Sequence, residues 1–490
     1  MSPKERKVPP SLEGLDYDIY FYSDSYAYTP ETLPTARRIY QLGYGLAVLV
    51  SLLLNFLVAT VLDSVNYIHA ITLRWTLFHE ERLNFNSNNR LFTASKSHGP
   101  NSWYFNVISG TGLVISHGSL SCMLADVTVE NEDPQISDNL LSTKSFVELN
   151  ALAVTALGLG LLLQVCVSTY SLLCSSGVLT WSNNLLANAQ AIARSQKYQR
   201  QNCAKFPSRT LQDSMLNVAP KVRPVRYLVW GFFGLFAAWS LGQGIYTGLY
   251  QEQTLLDLDA RWPKDALEYW KFYGTMWFDP RTTINPSASW ITLLVQIILQ
   301  SFLALALHCL ELQFNLFSDE AVWHSMETVG SKPNPSILSS FIRQGLFLSV
   351  IKAILHWIFG YAFFSNLTIN IALLPIIALM AAFMLLVALT EYMMNIRSKG
   401  RIPATYGNFE KVLELVDDWS HEKLFWGDKG DLLLGLRRAG TAGEKLPELH
   451  PNILYCCPQA SELENGSIIS PAKMDPEKGC DRDSDRIKRN

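Results

Sequence analysis

Five ionisable side chains interrupt stretches that otherwise read as membrane spans. Lys352 and His356 stand four residues apart in "SVIKAILHWIFGYAFF" (Ser349–Phe364), and His308 and Glu311 stand three apart in "LHCLEL". Glu391 lies near the end of the last apolar run. Spacings of three and four put each pair on one face of a helix. A charge near the centre of a span costs roughly 2.5–3.5 kcal/mol on insertion scales, so a partner is expected for each. Two chemistries fit. The residues can clamp helices together through a buried ion pair, or they can relay protons or ions along a path. A short connection between the last two apolar runs makes Glu391 the expected partner of Lys352, with Glu311, or snorkelling of Lys352 to the inner headgroups, as the alternatives.

Other chemistry is poorly represented. The nine histidines are at 69, 79, 98, 117, 308, 324, 356, 421 and 450. No two lie closer than 69 and 79, so the His pairs of a desaturase-like metal site are missing. A zinc site assembled from His117, His308 and His356 is the remaining metal alternative. Gly430 and Gly435 have P-loop spacing, but Leu436 stands where the phosphate-binding Lys is required. Asp257-x-Asp259 has the form of a transferase metal pair without an accompanying nucleotide-binding pattern. The reading is therefore no catalytic residue, no metal, no cofactor and no enzyme. A net charge of −3 and the absence of finger spacing also argue against nucleic acid as a partner.

These residues must be held by spans. Hydrophobic residues make up 49% of the chain and charged residues 17%, a membrane-like balance. A span needs roughly 20 apolar residues, and seven stretches qualify: 39–62, 105–125, 148–174, 227–250, 288–312, 345–364 and 370–394. The second is the most polar, with Ser109, Ser116, His117 and Ser119. The expected fold is all-α: a seven-span bundle over 39–394, a polar Tyr-rich tail over 1–38, a small cytosolic helical module over 395–455 and a disordered tail over 456–490.

Residues 175–226 carry eight Lys and Arg against one acid, Asp213, whereas 126–147 carry one cation against five acids. The positive-inside rule puts the basic loop in the cytosol, which makes the N-terminus external, although Arg37 and Arg38 oppose this. Most cysteines then fall on the cytosolic side, including Cys203, Cys456, Cys457 and Cys480. The basic loop opens with "LTWSNNLLANAQAIARSQKYQR", read as an extension of the third span whose cations reach anionic lipid heads. An orientation signal only is the favoured reading of these cations, with the lipid contact as the alternative.

Beyond the last span, Phe409, Val412, Leu413, Val416 and Trp419 form one apolar stripe at helical spacing. The helix they imply, over about 408–419, should dock against the rest of the protein. Residues 403–450 are also the expected contact for a protein partner.

The chain resembles a family of uncharacterised multi-pass membrane proteins of filamentous fungi. The stretches that carry the resemblance are "HAITLRWTLFHEERLNFNSNNRLFTASKSHGPNSWY", "LHCLELQFNLFSDEAVW", "IKAILHWIFG", "PATYGNFEKVLELVDDW" and "LFWGDKGDLLLGLRRAGTAG". The resemblance implies a membrane architecture and supplies no catalytic residue. Function is then read as a non-enzymatic scaffold, sensor or complex subunit. The alternatives are a transporter or channel built on the polar cluster, and an orphan seven-span receptor. The plasma membrane or a secretory-pathway membrane is the expected location, and the terminal "RIKRN" resembles a retrieval signal.

Overall fold

The apolar residues are concentrated in long helices whose outward faces are greasy. The computed structural model describes residues 38–40, 44–90, 92–129, 144–174, 177–195, 205–207, 213–250, 273–274, 286–334, 346–365, 369–397, 400–433, 436–450 and 453–456. The tails over 1–37 and 457–490, most of the aromatic loop 251–287 and the pair Asp257 and Asp259 lie outside these residues. The helices are α1 (Tyr44–His79), α2 (Trp103–Ser121), α3 (Ala151–Cys174), α4 (Leu185–Arg194), α5 (Met215–Val218), α6 (Arg223–Tyr250), α7 (Pro286–Thr328), α8 (Phe347–Ala362), α9 (Leu373–Asn395) and α10 (Phe409–Leu415).

Among the described residues, five helices are long and apolar enough to cross a membrane: α1, α3, α6, α7 and α9. On α1, Leu46, Leu49, Leu53 and Leu57 are exposed while Asn55, Val58, Ala59 and Leu62 are buried. Polar-in, apolar-out is the pattern of a helix whose solvent is lipid. The chain is therefore a membrane-embedded protein.

Several boundaries differ from the sequence expectation. The first span does not stop at 62. Asp63 does not break a helix, and Ile71 and Trp75 continue a buried stripe to His79. At 36 residues α1 is about 54 Å long and α7, at 43 residues, about 64 Å. Each exceeds the roughly 30 Å hydrocarbon layer, so their C-terminal parts build a body at one end of the bundle. Nor does the basic loop extend α3. Gly177 takes φ +106, where a Cβ would meet the His79 ring at 2.6 Å. The helix restarts at α4, capped by Asn184, whose side chain accepts from Leu186 N and Ala187 N.

The all-α expectation is also amended. The described residues form three small sheets. Strands β1 (Arg38–Tyr40), β2 (Leu124–Val129) and β3 (Lys144–Leu149) form one in the order β1-β3-β2. Strands β5 (Tyr273–Gly274), β6 (Phe363–Ser365) and β7 (Ile369–Ala372) form a second, with β6 and β7 making the hairpin that joins α8 to α9. Both lie at the end of the bundle where α1 begins. The third sheet, at the other end, joins β4 (Lys205–Pro207), β8 (Phe425–Leu433), β9 (Leu436–Ala442) and β10 (Leu454–Cys456) in the order β4-β10-β9-β8.

The C-terminal module is consequently not helical as expected but a short helix on a sheet. Helix α10 ends at Leu415, and Val416 and Trp419 reach the core from extended chain. The cause is Asp417, which the sheet captures. It accepts hydrogen bonds from Lys429 Nζ at 2.8 Å, Arg438 Nη2 at 2.8 Å and Thr441 N at 2.6 Å. Burial alone would raise its carboxyl pKa, but the Lys429, Thr441 and Arg438 contacts together hold it below the usual Asp range. A group depressed in the folded state stabilises above its unfolded pKa near ~3.9, and that stability is lost as pH falls through the folded value. The module should thus open to protease below about pH 4. Asp417→Asn should remove that acid dependence and weaken the module at neutral pH by about 1.5–3 kcal/mol, read as cleavage within 403–450.

Candidate functional site

Helix α8 places Ser349, Lys352, His356 and Phe359 on one buried face. Lys352 is only 8% exposed. Its ammonium donates to Asp63 Oδ1 of α1 at 2.7 Å and to Glu311 Oε2 of α7 at 3.0 Å. Ser349 donates to the other oxygen of Asp63. On α7, His308 Nδ1 contacts Glu311 Oε2 at 3.1 Å, one turn back. One cation therefore links α1, α7 and α8.

Glu391 is not part of this cluster. It accepts from Arg226 Nε and Trp230 Nε1, both at 2.6 Å, and from Asn395 Nδ2 at 3.0 Å. It ties α9 to α6 instead. The two carboxylates on Lys352 are the alternative partner Glu311 and a residue not foreseen, Asp63. Asp63 falls one residue past the expected end of the first span. Its continuation in an unbroken apolar pattern, with Asn66 and His69 beyond it, is the signal that could have found it.

Above Lys352 the polar chain continues. The rings of His356 and His117 stack, with centroids 3.6 Å apart and planes at 5°. His356 Nδ1 donates to Gln300 Oε1 at 2.8 Å, and Gln300 Nε2 donates to Ser121 Oγ at 2.7 Å. Nδ1 of His117 has no hydrogen-bond partner among the described residues. It lines a cavity of about 20 Å³ together with Asp63, Asn66, Arg90, Lys352 and His356. That is room for about one water.

Helix α2 supplies His117 and explains its own polarity. Asn106, Ser109, Ser116, His117 and Ser119 are buried, while Trp103, Tyr104, Val107 and Ile108 are exposed. Close approach to α3 needs small residues: a Cβ on Gly112 would meet Gly160 O at 2.9 Å. Ser109 donates to Gln164 Oε1 of α3 at 2.7 Å and accepts from Arg90. Asn106 holds the preceding loop by donating to Arg90 O at 3.0 Å and Thr93 O at 3.1 Å.

The stripe residues meet one core, although only Phe409, Val412 and Leu413 of them lie on the helix. Phe409, Val412, Leu413 and Val416 are buried in one core with Ile71 and Trp75 of α1, Leu185 and Leu186 of α4, and Trp323 of α7, and Trp419 packs on its edge. Polar groups fix the loop before α10. Glu320 Oε2 accepts from Thr405 N at 3.0 Å and from Tyr406 N at 2.5 Å. Asp319 accepts from Asn86 Nδ2 at 2.9 Å. The basic loop is thereby part of the module, because α4 is buried in this core. Its cations Lys197, Arg200 and Arg209 lie outside the described residues. Cys456 is disulfide-bonded, and its partner too lies outside them.

Among the described residues no three His, Cys, Asp or Glu side chains are grouped to hold a metal. His117 and His356 meet, but His308 pairs with Glu311. Comparison with protein-family models, with curated proteins and with solved structures finds no match.

Proposed function

We propose that this chain is a non-enzymatic seven-span membrane protein acting as a scaffold, sensor or complex subunit, with its 403–450 module as the contact for a protein partner. The observation that carries this is the single core shared by α1, α4, α7 and α10. Two membrane helices run without a break into the module, so its position is rigidly coupled to the bundle. Helices α2 and α8 complete the seven. Helix α2 has the polar-in, apolar-out pattern described above, and α8 is a shorter apolar helix extended by the β6–β7 hairpin.

The test is purification of the full chain in mild detergent. A protein partner recovered at equal stoichiometry supports the scaffold. A bound small solute and no partner would replace it with transport.

Transport is the second reading. It is favoured by one observation: His117, whose Nδ1 has no hydrogen-bond partner among the described residues, lines a small polar cavity beside Lys352. Full pairing of Lys352 by two carboxylates weighs towards a clamp.

Two signals disagree on the side that the module faces. The cations of 175–226 place it in the cytosol, whereas the disulfide at Cys456 fits an oxidising compartment. Charge bias acts during insertion, and we give it precedence. A tag after Asn202 should be reachable only once the plasma membrane or secretory membrane is permeabilised. Labelling of intact cells would reverse the orientation.

A further inference from the structure

A groove of about 770 Å³ lies between α2, α6 and α7, within the roughly 300–1,000 Å³ of ligand sites. Its walls are apolar: Val107 and Val114 of α2, Phe302 and Leu305 of α7, and Phe232 of α6. One end is polar, where Arg90, Asn106 and His308 line it. This is the end nearer the module, since α2 starts there and α7 runs towards it. From Trp103 to Ile115 the groove follows α2 for about 18 Å, close to half the ~30 Å hydrocarbon layer. Its length matches one leaflet.

Charge points the same way. Arg90 is 5% exposed and donates to Ser109, yet it has no ion pair among the described residues. Both carboxylates near it, Asp63 and Glu311, are taken by Lys352. A buried cation at the headgroup end of an apolar slot suits an amphiphile with an anionic group.

We propose that the groove binds one glycerophospholipid of the module-side leaflet, with an acyl chain along α2 and its phosphate at the Arg90 end. This goes beyond the scaffold reading and depends only on the chain being embedded in a membrane. Arg90, His308, Leu113 and Ala304 line both this groove and the small cavity beside Lys352. The lipid would therefore abut the wall of the ionic cluster.

Gly110 provides the test. It lines the groove, and a Cβ built there meets nothing within 4 Å. Gly110→Phe should fill the slot without disturbing the fold. Ser301→Phe fills it from α7. Gly231→Phe is the control, because Gly231 is also open but lies on α6 outside the groove. The full chain would be purified in mild detergent, exchanged against palmitoyl-oleoyl-phosphatidylcholine and washed, and retained lipid counted by native mass spectrometry. One phospholipid per chain is expected for the parent and for Gly231→Phe. Gly110→Phe or Ser301→Phe, whichever folds, should lower retention at least about tenfold. Equal retention in all variants, no retained phospholipid in the parent, or a retained sterol instead would overturn the proposal. Recovery of the chain without detergent would instead remove the membrane reading itself.

Discussion

Replacing Lys352 with methionine should cost about 3–5 kcal/mol of stability, the penalty for leaving buried charges without their partner. Two carboxylates, Asp63 and Glu311, would then lose the cation bonded to both, leaving Arg90, which donates to Ser109, at the wall of that space. The measurements are yield and unfolding temperature in detergent. Combining the change with Glu391→Gln should be additive to within about 0.3–0.5 kcal/mol, because Glu391 belongs to Arg226 and Trp230 on another helix pair.

Val412→Asp should detach the module while leaving the spans inserted. Val412 is 0% exposed and sits in the core shared by α1, α4, α7 and α10. The change removes a buried aliphatic side chain, worth about 1.5–3 kcal/mol, and puts a carboxylate in its place with no cation of the core to meet it. Total losses above about 4 kcal/mol are reserved for faults of this kind. Residues 403–450 should become sensitive to protease, with membrane extraction unchanged. Trp419→Ala should do much less, since Trp419 only packs on the edge of that core.

Sequence reasoning recovered what depends on local pattern and missed what depends on long-range capture. The apolar runs gave the spanning helices, and the 3.6-residue stripe gave Phe409, Val412 and Leu413. Lys352 pairs with Glu311 and not with Glu391 because proximity along the chain is not proximity across a bundle. The β6–β7 hairpin does bring α8 and α9 together, yet the Lys352 face of α8 turns towards α1. Asp63 was lost by ending a span at its first charge. The sheet of the module was illegible because its two longest strands carry glycine and charge in place of a clean apolar alternation, as in "FWGDKGDLL". They are assembled by Asp417 from residues up to 24 positions away. The stack of His117 on His356 joins residues of α2 and α8 that no spacing rule connects.

The central claim is that Lys352 clamps α1, α7 and α8 and is not a station on a conducting path. A double-mutant cycle between Lys352→Met and Glu311→Gln, measured by denaturant unfolding of the full chain in detergent, addresses it most directly. The clamp predicts that the double change costs less than the sum of the singles, by about 0.5–3 kcal/mol. Strict additivity, with Lys352→Met as stable as the parent, would contradict it and leave a conducting path as the better account of the cluster.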